Sequence, residues 1–259
     1  MERFIKKKKF GQNFLKDTRV CEKMILAGKV TTKDIVLEVG PGEGVLTAYL
    51  LKKGATVFAI EKDRELLPIL KEKFKKEIKT KKLILIEGDI RDVKLSSLGL
   101  KNGGYKVIAN IPYYISGLLF RFFLENKLQP NTLVFLVQKE VGERITTKNG
   151  KESLLSLSVK AFGIPFYIYT VKRGAFSPAP KVDSAIIAIE NISRKKFTNK
   201  KQEQKFFEIV KKAFNTSRKQ LGHIFKNEKK TQEAFVKIGV DLRKRPEDIL
   251  LEEWLSVAK

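Results

Sequence analysis

The sequence predicts an α/β protein, with a largely parallel β-sheet covered on both faces and a small helical domain after it. Between Thr31 and Glu190, seven short segments rich in Val and Ile alternate with amphipathic stretches, and several are apolar throughout, as strands buried on both faces are. Strand–helix alternation implies crossover connections and therefore parallel pairing. After Glu190 the strand pattern stops, and apolar residues recur at helical spacing.

The elements follow in order along the chain. A first helix is predicted over residues 17–27, with Asp17 as its N-cap and Gly28 as its stop. The predicted strands cover residues 35–39, 56–60, 83–86, 105–109, 132–137, 166–171 and 185–189. The predicted helices between the early strands cover residues 45–53, 65–75 and 116–126.

The C-terminal part is basic and predicted to be helical. Residues 192–205 are polar and predict a linker, and Pro246 with the acidic residues after it predicts the start of a final helix carrying Trp254. Residues 191–259 hold 18 Lys and Arg against 9 Asp and Glu, a net charge of 18 − 9 = +9. We therefore predict two domains, residues 1–190 and residues 191–259. Core positions in the second are predicted for Phe206, Phe207 and Phe214.

The composition restricts the function. The 259 residues include 53 Lys and Arg and 29 Asp and Glu, for a formal net charge of +24. This surplus is typical of proteins that bind a polyanion, so nucleic acid is the predicted partner, and a charged thermophile surface is the alternative. One Cys and one His argue against a disulfide, a Cys-built zinc site and a metal enzyme. Without an apolar run of ~18 residues or a secretory signal in residues 1–10, we expect a cytoplasmic protein with no membrane contact.

A glycine-rich turn follows the first predicted strand of the sheet. Residues 38–44 (Glu-Val-Gly-Pro-Gly-Glu-Gly) space their glycines as G-x-G-x-G, which differs from the G-x-G-x-x-G of dinucleotide enzymes. Glu61 ends the next strand, where an acidic side chain can hold ribose hydroxyls, and Asp89 follows the third, where it can accept a hydrogen bond from an adenine amino group. Together these motifs predict a nucleoside site without a phosphate, which S-adenosylmethionine fits. Ordinary strand-to-helix turns with capping acids are the alternative.

The motif Asn110-Ile111-Pro112-Tyr113 closes the fourth predicted strand, at the edge where open α/β sheets bind ligands. The N6 lone pair of adenine is delocalised into the ring, so this nitrogen is a poor nucleophile. The side-chain oxygen of Asn110 and the main-chain carbonyl of Ile111 can accept its two hydrogens and free the lone pair. Tyr113 offers a stacking face, worth ~1–3 kcal/mol per base, to an adenine turned out of its helix or loop. A plain Asn-Pro turn is the alternative.

Two further segments are candidates for covering this site. Residues 176–183 (Phe-Ser-Pro-Ala-Pro-Lys-Val-Asp) form a loop stiffened by prolines, in which Phe176 could sandwich the base opposite Tyr113. A core position for Phe176 is the alternative. Residues 10–15 (Phe-Gly-Gln-Asn-Phe-Leu) precede the first helix and could cover the cofactor, with an ordinary N-terminal arm as the alternative.

Taken in order, and together with residues 213–221 (Ala-Phe-Asn-Thr-Ser-Arg-Lys-Gln-Leu), these motifs resemble those of the small-subunit ribosomal RNA adenine N6,N6-dimethyltransferases, the kasugamycin-sensitivity family. The resemblance covers nearly the whole chain. It implies a Rossmann-like S-adenosylmethionine-dependent methyltransferase fold with a small C-terminal helical domain. It also implies dimethylation of N6 on two adjacent adenosines in the 3′-terminal hairpin of small-subunit (16S) rRNA, by a monomer acting within an assembling 30S subunit.

The resemblance assigns the parts by position. Residues 1–190 would bind S-adenosylmethionine, and residues 191–259 would recognise rRNA. The residues implied to contact the cofactor are Asn13, Leu15, Gly40, Gly42, Glu61, Asp89, Ile90 and Asn110. Those implied to form the catalytic pocket for the target base are Asn110, Ile111, Tyr113 and Phe176. Candidate RNA contacts are residues 6–9, 194–201, 218–219 and 243–245.

The sequence departs from the family at two positions. Asn13 stands where the family often has His, and Ile111 where it often has Leu. Both variants resemble the related large-subunit (23S) rRNA adenine N6-methyltransferases, whereas residues 176–183 and 213–221 match the small-subunit family better. The large-subunit enzyme is therefore one alternative. A non-catalytic nucleic-acid-binding factor on the same fold is another, and the intact motif at residues 110–113 argues against it.

Overall fold

The computed structural model describes residues 13–147 and 149–259. Residues 6–9, and residues 10–12 of the predicted covering segment, lie outside the described part of the chain. The chain divides into two compact units. The first contains the described residues up to Gly142 and Pro165–Ile192, and the second contains Glu143–Ile164 and Ser193–Lys259.

A seven-stranded sheet forms the framework of the first unit. The strands of the protein are β1 (Phe14–Leu15), β2 (Ile35–Val39), β3 (Thr56–Glu61), β4 (Leu83–Glu87), β5 (Lys106–Asn110), β6 (Thr132–Gln138), β7 (Ile164–Val171), β8 (Phe176–Ser177) and β9 (Ser184–Glu190). The large sheet has the order β4-β3-β2-β5-β6-β9-β7, while β1 and β8 form a separate antiparallel pair. The strands from β4 to β6 in this order pair in parallel, and β9 is antiparallel to β6.

All seven predicted strands are present, because each is rich in the β-branched and aromatic residues that favour strands. The observed bounds differ from the predicted ones by at most two residues. The residues of β6 from Leu133 to Val137 are all fully buried, which only a strand covered on both faces allows. The parallel pairing also brings the carboxyl ends of β2, β3, β4 and β5 to the same edge of the sheet.

The helices connect and cover these strands. They are α1 (Thr18–Ala27), α2 (Val45–Lys52), α3 (Leu66–Lys73), α4 (Lys75–Lys79), α5 (Ser116–Leu124), α6 (Lys139–Ile145), α7 (Leu154–Lys160), α8 (Lys200–Asn215), α9 (Leu221–Ile224), α10 (Lys229–Lys237) and α11 (Leu251–Val257). Both predicted ends of α1 are confirmed, since the Asp17 side chain accepts a hydrogen bond from the Arg19 amide and Gly28 is the C-cap. No helix of the described ranges is long and apolar enough to cross a membrane.

The second unit is held together by aromatic side chains, and it starts earlier in the chain than predicted. Phe162 stacks on Phe207 with ring centroids 5.8 Å apart, and it meets Phe197 edge-on at 5.7 Å. This contact places Glu143–Ile164 in the second unit, whereas the sequence had assigned the segment to the first domain. The prediction failed here because the aromatic partners of Phe162 lie far along the sequence. Elsewhere in the unit, Phe235 packs edge-on against Trp254 at 5.4 Å.

Two further predictions for the C-terminal part are corrected by the structure. The predicted linker over residues 192–205 ends early, because α8 begins at Lys200 with Asn199 as its N-cap. The Asn199 side chain accepts a hydrogen bond from the Gln202 amide at 2.9 Å, a capping pattern that the basic composition concealed. Pro246 opens a 3₁₀ turn, and the final helix α11 starts only at Leu251.

Gly44, at the start of α2, is expected to tolerate no side chain. Its φ is +74°, and a Cβ atom there would lie 2.5 Å from Cε2 of the buried Phe74. Gly99 has a similar φ of +70° with nothing within 4 Å, so it isolates the conformational effect. We expect Gly99→Ala to lower the free energy of unfolding by about 1–2 kcal/mol, and Gly44→Ala by about 2–5 kcal/mol, since overpacking adds to the strain. Urea unfolding measures both, and equal losses would contradict the steric argument.

Candidate active site

A cavity opens in the first unit at the carboxyl ends of β2, β3, β4 and β5. Because the four strands are parallel and in register, their ends and the loops that follow them converge there. Ten of the residues predicted for the site line this cavity: Asn13, Leu15, Gly40, Gly42, Glu61, Asp89, Ile90, Asn110, Ile111 and Tyr113.

Glu61 fixes the glycine turn between β2 and α2. One of its carboxylate oxygens accepts the Gly42 amide at 3.1 Å, and the other accepts the Asp63 amide at 2.8 Å. Gly42 has a φ of +59°, a conformation that favours glycine and turns its amide toward this carboxylate. Glu61 is 4 % exposed, and burial raises its pKa. These backbone hydrogen bonds hold the carboxylate in a fixed orientation at the cavity.

The Asp89 carboxylate forms ion pairs with two cationic side chains at the edge of the cavity. Arg91 donates to both carboxylate oxygens, from Nε at 2.9 Å and from Nη2 at 2.6 Å, and Lys62 Nζ donates at 2.9 Å. The Arg91 amide adds a fourth hydrogen bond at 3.0 Å. The hydrogen bonds from Arg91 hold the pKa of Asp89 well below its usual value. The four bonds account for the lone pairs of the carboxylate, so a new donor must displace one of them.

Asn110 is held with its amide nitrogen turned toward the N-terminal segment. Nδ2 donates to the main-chain oxygen of Asn13 at 3.2 Å. This bond fixes the orientation of the amide and leaves Oδ1 as the acceptor at the end of β5. Tyr113 lies three residues on, and its hydroxyl hydrogen-bonds to Oγ of the buried Ser184 at 2.6 Å. Burial raises the pKa of the Tyr113 phenol, so the phenol stays neutral. The hydrogen bond to Ser184 holds the ring in place.

The segment containing Asn13 and Leu15 reaches the cavity through the small antiparallel sheet. Leu15 pairs with Phe176, and the Lys16 amide donates to the Ala175 carbonyl at 2.8 Å. Phe176 itself is not one of the cavity-lining residues. Its side chain is 4 % exposed and belongs to the hydrophobic core, the alternative that the sequence left open. Its contact with a substrate base stays a prediction.

No group of three or more His, Cys, Asp or Glu side chains within the described ranges is arranged to hold a metal ion. The polar groups that converge on the cavity are carboxylates, an amide and the two cations on Asp89. Such a set can hold hydroxyl and amino groups by hydrogen bonds, and it can orient a flat ring beside Asn110 and Tyr113.

Comparison with known proteins identifies the family. The family model described as ribosomal RNA adenine dimethylase matches residues 3–259. The chain belongs to this family. A curated relative from Fusobacterium nucleatum named ribosomal RNA small subunit methyltransferase A is 35% identical over 262 residues, covering 99% of this chain and 97% of the relative. One of the same name from Dehalococcoides mccartyi is 38% identical over 253 residues, covering 96% of this chain and 86% of the relative.

Solved structures agree with this assignment. The crystal structure of a dimethyladenosine transferase from Plasmodium falciparum matches with a TM-score of 0.77 at 25% identity, covering 94% of this chain and 95% of that one. The 23S rRNA methyltransferase ErmE matches with a TM-score of 0.75 at 22% identity, covering 95% and 98%, and this likeness shows the shared fold. The predicted Rossmann-like methyltransferase fold with a helical C-terminal domain is confirmed, and so is membership of an rRNA-methylating enzyme family.

Sequence reasoning missed several side chains of this dimethylase site. Lys62, Arg91 and Tyr114 line the cavity, and Ser184 holds Tyr113 from β9. Tyr114 could have been noticed, because it directly follows the Asn-Ile-Pro-Tyr motif. Ser184 is 71 positions from Tyr113 along the chain, and nothing in the sequence pattern connects the two.

The dimethylase fold buries a second carboxylate, Glu38, beneath the glycine turn. Thr47 Oγ1 donates to it at 2.7 Å, and burial raises the pKa of Glu38 to about 8, with a smaller contribution from Glu61. A carboxyl group that keeps its proton in the folded state but ionises near pH 4.5 when unfolded makes stability fall as the pH rises between these values.

Glu38→Gln is therefore expected to reduce the loss of stability between pH 5 and pH 8. The amide has the shape of the protonated acid but does not titrate. Urea midpoints measured across this range should fall less steeply for the variant than for the wild type. Glu72→Gln, an exposed carboxylate on α3, is the control and should follow the wild-type profile. Parallel profiles for all three proteins would contradict the assignment.

Proposed function

We propose that this protein transfers methyl groups from S-adenosylmethionine to N6 of two adjacent adenosines in the 3′-terminal hairpin of small-subunit (16S) rRNA. The observation that carries the proposal is the Asn110 side chain, which lines the cavity and donates through Nδ2 to the Asn13 carbonyl, so that its oxygen remains to accept a hydrogen bond. The names of the curated relatives support the small subunit as the source of the RNA.

The cavity suits S-adenosylmethionine by the chemistry of its side chains. Glu61 would accept hydrogen bonds from the ribose hydroxyls. Asp89 would accept one from the adenine amino group in place of a hydrogen bond from Lys62 or Arg91. The turn at Gly40 and Gly42 lets the backbone approach the ligand closely. When bound, this cofactor supplies an electrophilic methyl group on a sulfonium.

The residues of the Asn110 motif would position the target adenine. The Asn110 oxygen and the Ile111 carbonyl would accept the two N6 hydrogens, and the Tyr113 ring would stack on the base. An amide cannot take up a proton, so these residues act by positioning and by stabilising the charge that develops on N6. Two transfers to the same nitrogen require that the pocket accept a base that already carries one methyl group.

The partner would be rRNA within an assembling 30S subunit, bound in the cytoplasm by a monomer, with the C-terminal unit providing rRNA recognition. In that unit Arg218 and Lys219 are exposed, and Lys219 Nζ lies 3.0 Å from Nε2 of His223. Arg218 and Lys219 thus place two adjacent cationic side chains on the surface, which suits phosphate contacts. Such contacts position an RNA without specifying its sequence.

RNA binding is expected to weaken steeply with salt because each phosphate contact releases counterions. The double variant Arg218→Ala, Lys219→Ala should reduce the slope of log K against log salt by about 1–2. Arg19→Ala is the control, because Arg19 lies outside the candidate RNA contacts and is paired with Asp17 at 2.8 Å, and its slope should change less. Filter binding at several salt concentrations measures these slopes. An affinity for RNA that did not change with salt would contradict the claim that the net charge of +24 serves to bind RNA phosphates.

Radiolabelled methyl incorporation tests the proposed function. We expect label in small subunits that lack the two methylated adenosines and none in fully methylated ones. Incorporation into isolated large-subunit rRNA instead would favour the 23S alternative. RNA binding without incorporation into either substrate would favour a non-catalytic factor.

A further inference from the structure

The most exposed aromatic ring described at the cavity is Tyr114. It lines the cavity next to Tyr113, yet it is 70 % exposed. Tyrosine is enriched at binding interfaces, because its ring is apolar and its hydroxyl stays hydrated. An exposed tyrosine at the cavity is therefore a candidate contact for a partner.

The two tyrosines of the motif have different surroundings. The Tyr113 hydroxyl is anchored on Ser184 and its ring is partly buried, so it belongs to the interior of the cavity. Tyr114 follows it in the 3₁₀ segment Tyr113–Ile115 that leads into α5, and its side chain stays exposed. Asn110 and Tyr114 both line the cavity, so an RNA strand whose base reaches Asn110 brings its neighbouring bases within reach of Tyr114.

The proposed reaction leaves the base next to the everted adenine without a stacking partner. When one adenine turns out of its stack to reach Asn110, the next base along the strand loses a stacking partner, and this loss is part of the free-energy cost of eversion. A tyrosine face can replace the lost partner, since aromatic rings stack on any base. The net charge of +24 also favours a nucleic-acid occupant over an apolar protein segment.

We propose that Tyr114 stacks on the base that adjoins the everted adenine and so holds the neighbouring adenosine in place during transfer. This inference rests on the proposed function, because it requires an everted adenine at Asn110. It assigns Tyr114 a role in binding the substrate, while Asn110 and Tyr113 contact the reacting base.

The first test compares steady-state methyl transfer by Tyr114→Ala and Tyr114→Phe on under-methylated small subunits. Tyr114→Ala should raise KM about 5- to 150-fold, the equivalent of about 1–3 kcal/mol for one stacked base, whereas Tyr114→Phe should stay close to wild type. Leu26→Ala, which removes another exposed side chain (69 %) on α1, is the control for a general surface effect. The affinity for S-adenosylmethionine, measured by calorimetry, should be unchanged in all three variants.

The second test does not depend on catalysis. An RNA hairpin carrying fluorescent 2-aminopurine beside the target adenosine is titrated with the full-length protein. Wild type and Tyr114→Phe should quench the fluorescence by stacking, and Tyr114→Ala should not. Equal fluorescence with wild type and Tyr114→Ala, or a Tyr114→Phe variant as impaired as Tyr114→Ala, would overturn the proposal. If wild-type protein quenches without transferring methyl groups, the stacking role stands and the proposed function fails.

Discussion

Replacing Asn110 by Ala is expected to slow methyl transfer at least about 100-fold while RNA binding persists. Removing a single positioned hydrogen-bonding group at a reacting centre typically lowers kcat by ~10²–10³. Here the lost group is the acceptor that would hold an N6 hydrogen, and its orientation comes from the 3.2 Å bond to the Asn13 carbonyl. Single-turnover transfer and filter binding, carried out on the same preparation, separate the two effects.

The control for this variant is another amide on the same sheet. Asn131 directly precedes β6, at the amino end of the strand, and its Nδ2 donates to the Gly103 carbonyl at 3.2 Å. Asn131→Ala should leave the transfer rate within about twofold of wild type. If Asn110→Ala loses RNA binding and transfer to the same extent, or keeps its transfer rate, the role given to Asn110 is wrong.

Replacing Glu61 by Ala is expected to weaken S-adenosylmethionine binding by about 10- to 100-fold. Hydrogen bonds to a charged group contribute about 1.5–3 kcal/mol, and each 1.4 kcal/mol is tenfold in affinity. The carboxylate also holds the Gly42 and Asp63 amides, so its loss loosens the glycine turn itself. Glu61→Gln retains one oxygen acceptor and should lie between wild type and Glu61→Ala.

Glu87 provides the matched control for Glu61. The two residues are register partners at the ends of neighbouring strands, but Glu87 is exposed and does not line the cavity. Titration calorimetry with S-adenosylmethionine should give Glu87→Ala the wild-type affinity. If both variants lost the same affinity for S-adenosylmethionine, the cause would be a disturbed strand end, and the role given to Glu61 in the cavity would be wrong.

The parts of the fold that were predictable depend on local pattern. Strands buried on both faces give continuous apolar runs, so the sheet was located from residues such as those of β6. The site was predictable for the same reason. Parallel strands bring their carboxyl ends together, so Glu61, Asp89 and Asn110 had to meet once each was placed at a strand end.

The parts that were missed depend on contacts between distant residues. Phe162 joins the second unit because its ring packs on Phe197 and Phe207, and no local pattern reveals those partners. The two cations on Asp89 were missed because a basic residue beside an acidic one is common in a chain with 53 Lys and Arg. The burial of Phe176 in the core beside Leu15 also depends on distant partners, and its contact with the target base stays a prediction.

The central claim is that Asn110 and the peptide oxygen after it present an adenine amine to a sulfonium methyl group. Mass spectrometry of the rRNA tests it most directly, after under-methylated small subunits have been incubated with the protein and S-adenosylmethionine. Wild-type protein should produce N6,N6-dimethyladenosine at two adjacent positions of the 3′-terminal hairpin, and Asn110→Ala should produce it at neither. Methyl groups on another atom or another RNA, or full dimethylation by Asn110→Ala, would contradict it.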